Sequence, residues 1–223
     1  MNIVAFKPQH IQIPREVIRD LKHISDLSSS KKWEYAGSIG CKIKGKSATF
    51  SKPSFVTSKN RRTVKLKEIE TVWPSLIAYH THPAIVQPQN IRNDIDKIFT
   101  TLPSNSDMEV CILGFPGIQT NIICDAHGYY IIDMIHAVEH EKIPVPSMVF
   151  KAMDDFRKRP HLRERVFGEE GLEYYNTNLH EWKRIINLEL NQHLKNIFGI
   201  SIRYYAYTDK SPHIIIDRDN IDS

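Results

Sequence analysis

Two histidines, His80 and His82, follow the largely apolar residues 75–79 and are themselves followed by a proline. On an extended strand, side chains at positions i and i+2 point to the same face, because their direction alternates. Both imidazoles could therefore reach one metal ion. An oxygen ligand from Asp107 would complete three protein ligands and leave the fourth position of a tetrahedral zinc ion for water. This is the arrangement of a catalytic zinc site.

A hydrolytic metal site also needs a proton carrier, and the sequence offers Glu34 well upstream. Glu34 opens an extended apolar stretch with Gly37 and Gly40, where a second backbone or a substrate could approach closely. Ser104 lies three residues before Asp107, a spacing typical of a helix N-cap with an acidic third residue. Ser104 and Asp107 could therefore begin a helix and still face the metal.

Three motifs, in this order, together resemble the JAMM signature of the JAB1/MPN/Mov34 metalloproteases: Glu34-x-x-Gly37, His80-x-His82-Pro83 and Ser104-x-x-Asp107. The resemblance implies a single zinc ion per chain, bound by His80, His82 and Asp107. It implies further that Glu34 is the general acid and base. Ser104 would help to stabilise the tetrahedral intermediate.

The resemblance covers residues 1–135 and implies a zinc-dependent hydrolase that cleaves amide bonds. Its expected substrates are isopeptide conjugates of ubiquitin or a ubiquitin-like protein, which makes the chain a deubiquitinase-type metalloprotease. Two alternatives remain: a non-catalytic MPN scaffold in a protein complex, and an amidase that acts on small molecules or peptides. All five functional positions are filled, so the residues favour the catalytic interpretation.

The sequence departs from the family pattern between His82 and Ser104, where residues 84–102 form an insertion. Such an insertion is tolerated, because tripling a flexible loop adds only about 1 kcal/mol of closure entropy. Four apolar residues in it follow at near-helical spacing: Ile91, Ile95, Ile98 and Phe99. This spacing predicts a short amphipathic helix that covers the cleft or grips a substrate, with a solvated loop without function as the alternative.

A competing metal motif, HAVEH at residues 136–140, fits the inverzincin pattern His-x-x-Glu-His. That motif works on a helix, where its two histidines share a face. Here it follows the β-favouring residues 129–135 and soon meets Pro144 and Pro146. A stable helix is therefore not expected, and we do not assign a metal to this motif.

The cysteines Cys41, Cys111 and Cys124 are three in number and show no Cys-x-x-Cys pairing. Neither a disulfide framework nor a cysteine zinc site is therefore indicated. A cysteine protease would need one of these thiols exposed beside a histidine.

The protein has 223 residues, of which 41% are hydrophobic and 25% are charged. This composition predicts a globular chain with one large domain, or one domain with an appendage. No stretch approaches the roughly eighteen apolar residues of a membrane span, and the N-terminus lacks the apolar core of a signal peptide. We therefore expect a soluble, intracellular protein in the cytoplasm, with a nuclear location left open and no membrane contact.

The net charge is +4, and basic residues cluster at 58–67 and 157–165. Such runs are typical of solvated surfaces, and they could also contact an acidic protein or a nucleic acid. No RNP, zinc-finger or helix-turn-helix signature accompanies them. Nucleic acid binding is therefore not expected.

The order of predicted elements indicates an α/β (α+β) fold, with a mixed curved sheet flanked by helices, as an MPN domain would have. A strand ends at Ile13, and a helix begins at Pro14. Further strands are predicted at 35–44, 47–57, 63–67 and 76–80, and, after a helix start at Ser104, at 108–115 and 120–124. Residues 1–143 would form the JAB1/MPN metalloprotease-like domain.

Residues 144–223 are expected to form a C-terminal helical extension that packs on this core. Helices are predicted at residues 147–159 and after the cap-like Asn178. The second helix has a stripe of apolar residues that would pack on the core or bind a partner protein: Trp182, Ile186, Leu190, Leu194 and Ile197. Gly199 should end it, and strands at 200–207 and 213–217 would return to the sheet.

Overall fold

A computed structural model describes residues 8–44, 47–61, 64, 75–84, 97–135, 144–162, 165–167 and 173–217. The helices in these ranges are α1 (Arg15–Lys31), α2 (Asn105–Gly114), α3 (Pro146–Arg157), α4 (Leu179–Arg184) and α5 (Asn191–Phe198). The strands are β1 (Pro8–Gln12), β2 (Ala36–Ile39), β3 (Cys41–Lys44), β4 (Ser47–Phe50), β5 (Ser54–Val56), β6 (Ile77–Thr81), β7 (Lys97–Thr100), β8 (Thr120–Cys124), β9 (Gly128–Met134), β10 (Arg165–Phe167), β11 (Glu173–Asn178), β12 (Ile200–Ala206) and β13 (His213–Asp217). The predicted mixed α/β class, with a mixed sheet flanked by helices, is confirmed.

The largest sheet has six strands in the order β12-β9-β8-β6-β2-β5. Strands β6 and β8 are parallel, and the other neighbouring pairs are antiparallel. A parallel pair needs a long crossover connection. The chain between β6 and β8 contains α2, so this crossover brings the start of α2 close to the sheet.

Side chains alternate along the central strands and divide the core between the two faces of this sheet. Along β8, Ile122 and Cys124 belong to one hydrophobic cluster, whereas Ile123 belongs to the other. The first cluster is completed by α1, β1 and β13, and the second by α2 to α5. The two faces are therefore covered by different elements, as the period of two in a strand requires.

Strands from the C-terminal part pair with strands from the first part of the chain. β12 pairs with β9, β13 with β1, and β11 with β7, each antiparallel. The predicted helix cap is confirmed, because the Asn178 side chain accepts a hydrogen bond from the Glu181 N–H over 2.9 Å. The predicted stripe is buried from Trp182 to Leu194, whereas Ile197 is 56% exposed. Gly199 ends α5 with a φ of 64°.

Two asparagine side chains cover the outer edge of β12. One lies on the π-helical segment that follows α4, and the other lies at the start of α5. Asn187, in the π-helical segment Ile185–Leu190, accepts from the Tyr204 N–H over 2.7 Å and donates to the Tyr204 carbonyl over 3.1 Å. Asn191, one turn later, accepts from the Ile202 N–H over 3.0 Å. These side chains replace the hydrogen bonds of a further strand.

Several of the predicted helices and strands are present in the structure. The helix that starts after Pro14 and the strands at residues 120–124 and 213–217 are confirmed. The predicted strands 35–44 and 47–57 are each divided into two, and β3 pairs with β4 as a hairpin. The prediction for 63–67 lies outside the described residues, except for Val64. None of the helices within the described ranges is long and apolar enough to cross a membrane.

Two predictions about secondary structure are wrong. Residues 108–115 were predicted as a strand, but most of them lie in α2, because Met108, Cys111 and Ile112 bury one helical face. Ile98 and Phe99 were predicted to be helical, but they lie in β7, where β11 supplies a pairing partner. Long-range pairing therefore outweighs the local helical spacing. Ile91 and Ile95, which belong to the same prediction, lie outside the described residues.

Candidate metal centre

β6 carries His80 on the face that packs against α2 to α5. Ile77 and Tyr79 belong to the core on the α1 side, so the alternating His80 points to the opposite face. His82 follows the end of β6, and its N–H donates to the Cys124 carbonyl over 2.7 Å, which prolongs the pairing with β8. The Nε2 atoms of His80 and His82 consequently lie 3.2 Å apart.

Glu34 reaches the histidines because β2 lies beside β6 in the sheet. The antiparallel register pairs Ala36 with His80. Continued by two residues, this register places Glu34 opposite His82 and on the same face as both histidines. The ligand atoms of Glu34, His80 and His82 all lie within 4.8 Å of one another. These three residues form a cluster that could hold a metal ion.

The Glu34 side chain is buried beside the histidines, and the residue is only 9% exposed. One of its oxygens, Oε2, has no hydrogen-bond partner among the described residues. Burial raises the pKa of Glu34, and the neighbouring His80 and His82 only partly oppose this rise. A buried carboxyl group with a raised pKa and an unpaired oxygen is suited to accept and return a proton.

Asp107 faces the same histidines from the first turn of α2. It forms the predicted capping box with Ser104: the Ser104 N–H donates to the Asp107 carboxylate over 2.6 Å, and the Asp107 N–H donates to Ser104 Oγ over 3.1 Å. Carboxylate oxygens of Asp107 lie 3.0 Å from Nε2 of His80 and 3.6 Å from Nε2 of His82.

The histidines keep Asp107 ionised. Burial by itself raises the pKa of Asp107, but His80 and His82 outweigh burial and hold this pKa well below its usual value. Asp107 in turn shifts the pKa of His80. Burial lowers this pKa, but the negative charges of Asp107 and Glu34 raise it by more, so the net shift is upward. A deprotonated carboxylate is the form that binds a metal.

The spacing of these atoms fits a tetrahedral zinc ion. Zinc bonds of about 2.0–2.1 Å place two tetrahedral ligand atoms about 3.3 Å apart. The observed separations are 3.2 Å between the two histidine nitrogens, 3.0 Å between His80 and Asp107 Oδ1, and 3.6 Å between His82 and Asp107 Oδ2. Two imidazole nitrogens and one carboxylate oxygen are also ligand types found in catalytic zinc sites.

Two ligand sets share the histidines and differ in the carboxylate. Asp107 contacts both histidines and has a lowered pKa, whereas Glu34 has a raised pKa. A metal ion competes with the proton for the carboxylate oxygens, so it displaces the proton more easily from the group with the lower pKa. The contacts and the charge therefore favour Asp107 as the third ligand and Glu34 as the proton carrier.

Thr101 is a further residue of the site, and it was not predicted. Its Oγ1 lies 3.3 Å from Nδ1 of His82, the ring nitrogen opposite the one that faces His80. A partner at this position fixes the ring orientation of a metal-binding histidine. The sequence gives no signal for Thr101, which lies near the end of the insertion and belongs to none of the three motifs.

Ser104 lies beside Asp107 at the N-terminus of α2. Its Oγ accepts the Asp107 N–H, and a hydroxyl group that accepts one hydrogen bond can still donate another. Ser104 is exposed to solvent, so a substrate can reach it. The structure thus brings Glu34, His80, His82 and Asp107 together and places Ser104 next to Asp107.

Gly37 marks a close approach between two strands. A Cβ added at Gly37 would lie 1.7 Å from the carbonyl oxygen of Ser54 in β5. A Cβ at Gly40 would meet the side chain of Ser51 and no backbone atom, with Oγ at 2.9 Å and Cβ at 3.3 Å. The expectation that a second backbone approaches this glycine-containing stretch is therefore confirmed at Gly37.

Gly37→Ala is expected to lower the free energy of unfolding by about 3 kcal/mol, because a backbone strand must move to admit the methyl group. Gly40→Ala is the matched control and is expected to cost about 1 kcal/mol, since the Ser51 hydroxyl can rotate away at the loss of the hydrogen bond that it accepts from the Gly40 N–H. Urea denaturation of both variants measures the difference. Equal losses would contradict the proposed role of the β2–β5 contact.

The three cysteines do not have the features of reactive thiols. Cys111 and Cys124 are buried, and burial raises the pKa of Cys111 to about 12. Burial likewise raises the pKa of the less buried Cys41 to about 11. Thiols with such pKa values carry little reactive thiolate at neutral pH. The HAVEH motif at residues 136–140 lies outside the described residues.

Comparisons of the chain with known protein families, with curated proteins and with solved structures found no match.

Proposed function

We propose that the protein is a zinc-dependent hydrolase that cleaves amide bonds, with an MPN-type domain around the metal centre. The observation that carries the proposal is the convergence of Glu34, His80, His82 and Asp107, which come from three distant parts of the chain. Their types and order match the JAMM signature. Their contacts support an assignment of His80, His82 and Asp107 as metal ligands and of Glu34 as a separate buried acid.

The two histidines and Asp107 would hold the metal, and Thr101 would orient His82. Zinc, when bound, would act as a Lewis acid and lower the pKa of a bound water molecule to about 7. The capping box fixes Asp107 on α2, and the sheet fixes both histidines. The ligands therefore lie on elements that keep their spacing.

Glu34 would accept a proton from the water molecule that attacks the amide carbonyl carbon. As the carbon–nitrogen bond breaks, Glu34 would return this proton to the leaving amine. General acid–base catalysis of this kind contributes about 10²- to 10⁴-fold to the rate. Ser104 would donate a hydrogen bond to the carbonyl oxygen as negative charge develops on it.

The proposed substrates are isopeptide conjugates of ubiquitin or a ubiquitin-like protein. This choice is supported by the sequence resemblance, whereas the metal centre suits ordinary peptides and small amides equally well. The mixed sheet, with its parallel β6–β8 pair and flanking helices, agrees with an MPN-type domain.

Zinc analysis of the purified protein, combined with cleavage of diubiquitin of several linkages and of a small fluorogenic amide, tests this function. We expect about one zinc ion per chain and cleavage of at least one diubiquitin. A non-catalytic scaffold would fail every test. A small-molecule amidase would bind zinc and cleave only the small amide, and this result would overturn the proposed substrate but not the metal centre.

A further inference from the structure

Residues 101–104 form a short connection between β7 and α2 that leads directly into the metal centre. It begins with Thr101, which contacts His82, and ends with Ser104, which shares the capping box with Asp107. Any displacement of this connection would move both contacts. The connection has no regular secondary structure, so other elements must hold it in place.

The first end of the connection is held by the sheet and by α4. The Tyr130 hydroxyl of β9 donates to the Thr101 carbonyl over 2.7 Å. Trp182 of α4 in turn donates its indole N–H to the Tyr130 hydroxyl over 2.8 Å. Both rings are buried, so these hydrogen bonds are shielded from water.

The second end is held by Arg157 at the C-terminus of α3. One guanidinium nitrogen, Nη2, donates to the Pro103 carbonyl over 2.7 Å, and the other, Nη1, lies 3.2 Å from Asn105 Oδ1. Pro103 and Asn105 are the two neighbours of Ser104. Asp154 accepts from the same Nη1 over 2.6 Å and fixes the guanidinium from its own helix.

We propose that Arg157 is a positioning residue that fixes Ser104 and, through the capping box, Asp107. Its planar guanidinium group donates to both neighbours of Ser104 at once. The single ammonium group of a lysine cannot do this with the same geometry. The first turn of a helix has unpaired N–H groups and opens easily. The part of this proposal that concerns metal binding rests on the proposed function.

The test compares Arg157→Gln and Arg157→Lys with Arg159→Gln, a matched control two residues away. Arg159 pairs with Glu189 and stacks on Phe156, but it has no described contact with residues 101–105. The first measurement is amide hydrogen exchange by NMR on the metal-free proteins. We expect faster exchange at the Ser104 and Asp107 amides in Arg157→Gln and no change there in Arg159→Gln.

The second measurement is the zinc dissociation constant, together with the absorption spectrum of the cobalt-substituted proteins, which reports the coordination geometry. Loss of a group that hydrogen-bonds a metal ligand typically weakens metal binding about 10- to 100-fold, and Arg157 should act at the low end of this range because it reaches Asp107 only through the capping box. We expect a loss in this range for Arg157→Gln, a smaller one for Arg157→Lys and none for Arg159→Gln. If Arg157→Gln does not fold, Arg157→Lys decides the question by the same measurements.

The outcomes separate the two proposals. Unchanged exchange at Ser104 and Asp107 in the Arg157 variants would overturn the positioning role, whether or not the protein binds zinc. Wild-type protein that binds no zinc would overturn the proposed function, and hydrogen exchange would then decide on Arg157 alone. Equal losses of zinc affinity in Arg157→Gln and Arg159→Gln would show a general effect of charge and would also overturn the positioning role.

Discussion

Replacing His80 with alanine is expected to remove nearly all zinc from the protein, because Asp107 and His82 alone cannot hold the ion tightly. The free energy of zinc binding in four-ligand protein sites is about 10–16 kcal/mol, or roughly 3 kcal/mol per ligand. Loss of one ligand should therefore weaken binding by about two orders of magnitude or more. His82→Ala is expected to have the same effect, and elemental analysis after dialysis measures both.

His180→Ala is the control for this prediction. His180 is an exposed residue of α4 and contributes no atom to the cluster, so its loss should leave the zinc content unchanged. Circular dichroism should show that all variants keep their secondary structure. Full zinc occupancy in the double variant His80→Ala/His82→Ala would show that zinc binds at another site.

Glu34→Gln is expected to keep zinc and to lower kcat by about 10²-fold or more. The amide has almost the same shape as the carboxyl group, but it cannot accept and return a proton. Because Glu34 is buried and its Oε2 has no described partner, the substitution breaks no described hydrogen bond of that oxygen. Steady-state kinetics on the cleaved conjugate, with zinc content measured in parallel, separates the chemical role from metal binding.

Glu109→Gln and Asp107→Asn complete this experiment. Glu109 is exposed on α2 and should be replaceable without effect on kcat. Asp107→Asn should weaken zinc binding, though less than loss of a histidine, because the amide oxygen can still coordinate. If Glu34→Gln loses zinc while Asp107→Asn keeps it, then Glu34 is the third ligand and the assignment of the two carboxylates is reversed.

The local parts of the metal centre could be predicted from the sequence. The alternation of side chains in a strand accounts for the shared direction of His80 and His82, and the Ser-x-x-Asp spacing accounts for the capping box. The position of Glu34 could not be derived in this way. It depends on the register of β2 against β6, which is set by pairing between residues far apart in the chain.

One of the two errors has the same origin. Ile98 and Phe99 have a spacing that suits a helix, and only the presence of β11 makes them a strand. Arg157 and Thr101 have no motif at all, because each acts through contacts with residues that are distant in sequence. The shared direction of the histidines and the capping box follow from local spacing and could be predicted, whereas the contacts that depend on tertiary pairing could not.

Asn187 and Asn191 have a consequence for how the protein behaves in a crowded solution. An exposed strand edge is a template on which another chain can add its own strand, and such addition leads to aggregation. At β12 the N–H groups of Ile202 and Tyr204 are already bound by these two side chains. The sheet therefore cannot grow at this edge unless the π-helical segment and α5, which carry these asparagines, first detach.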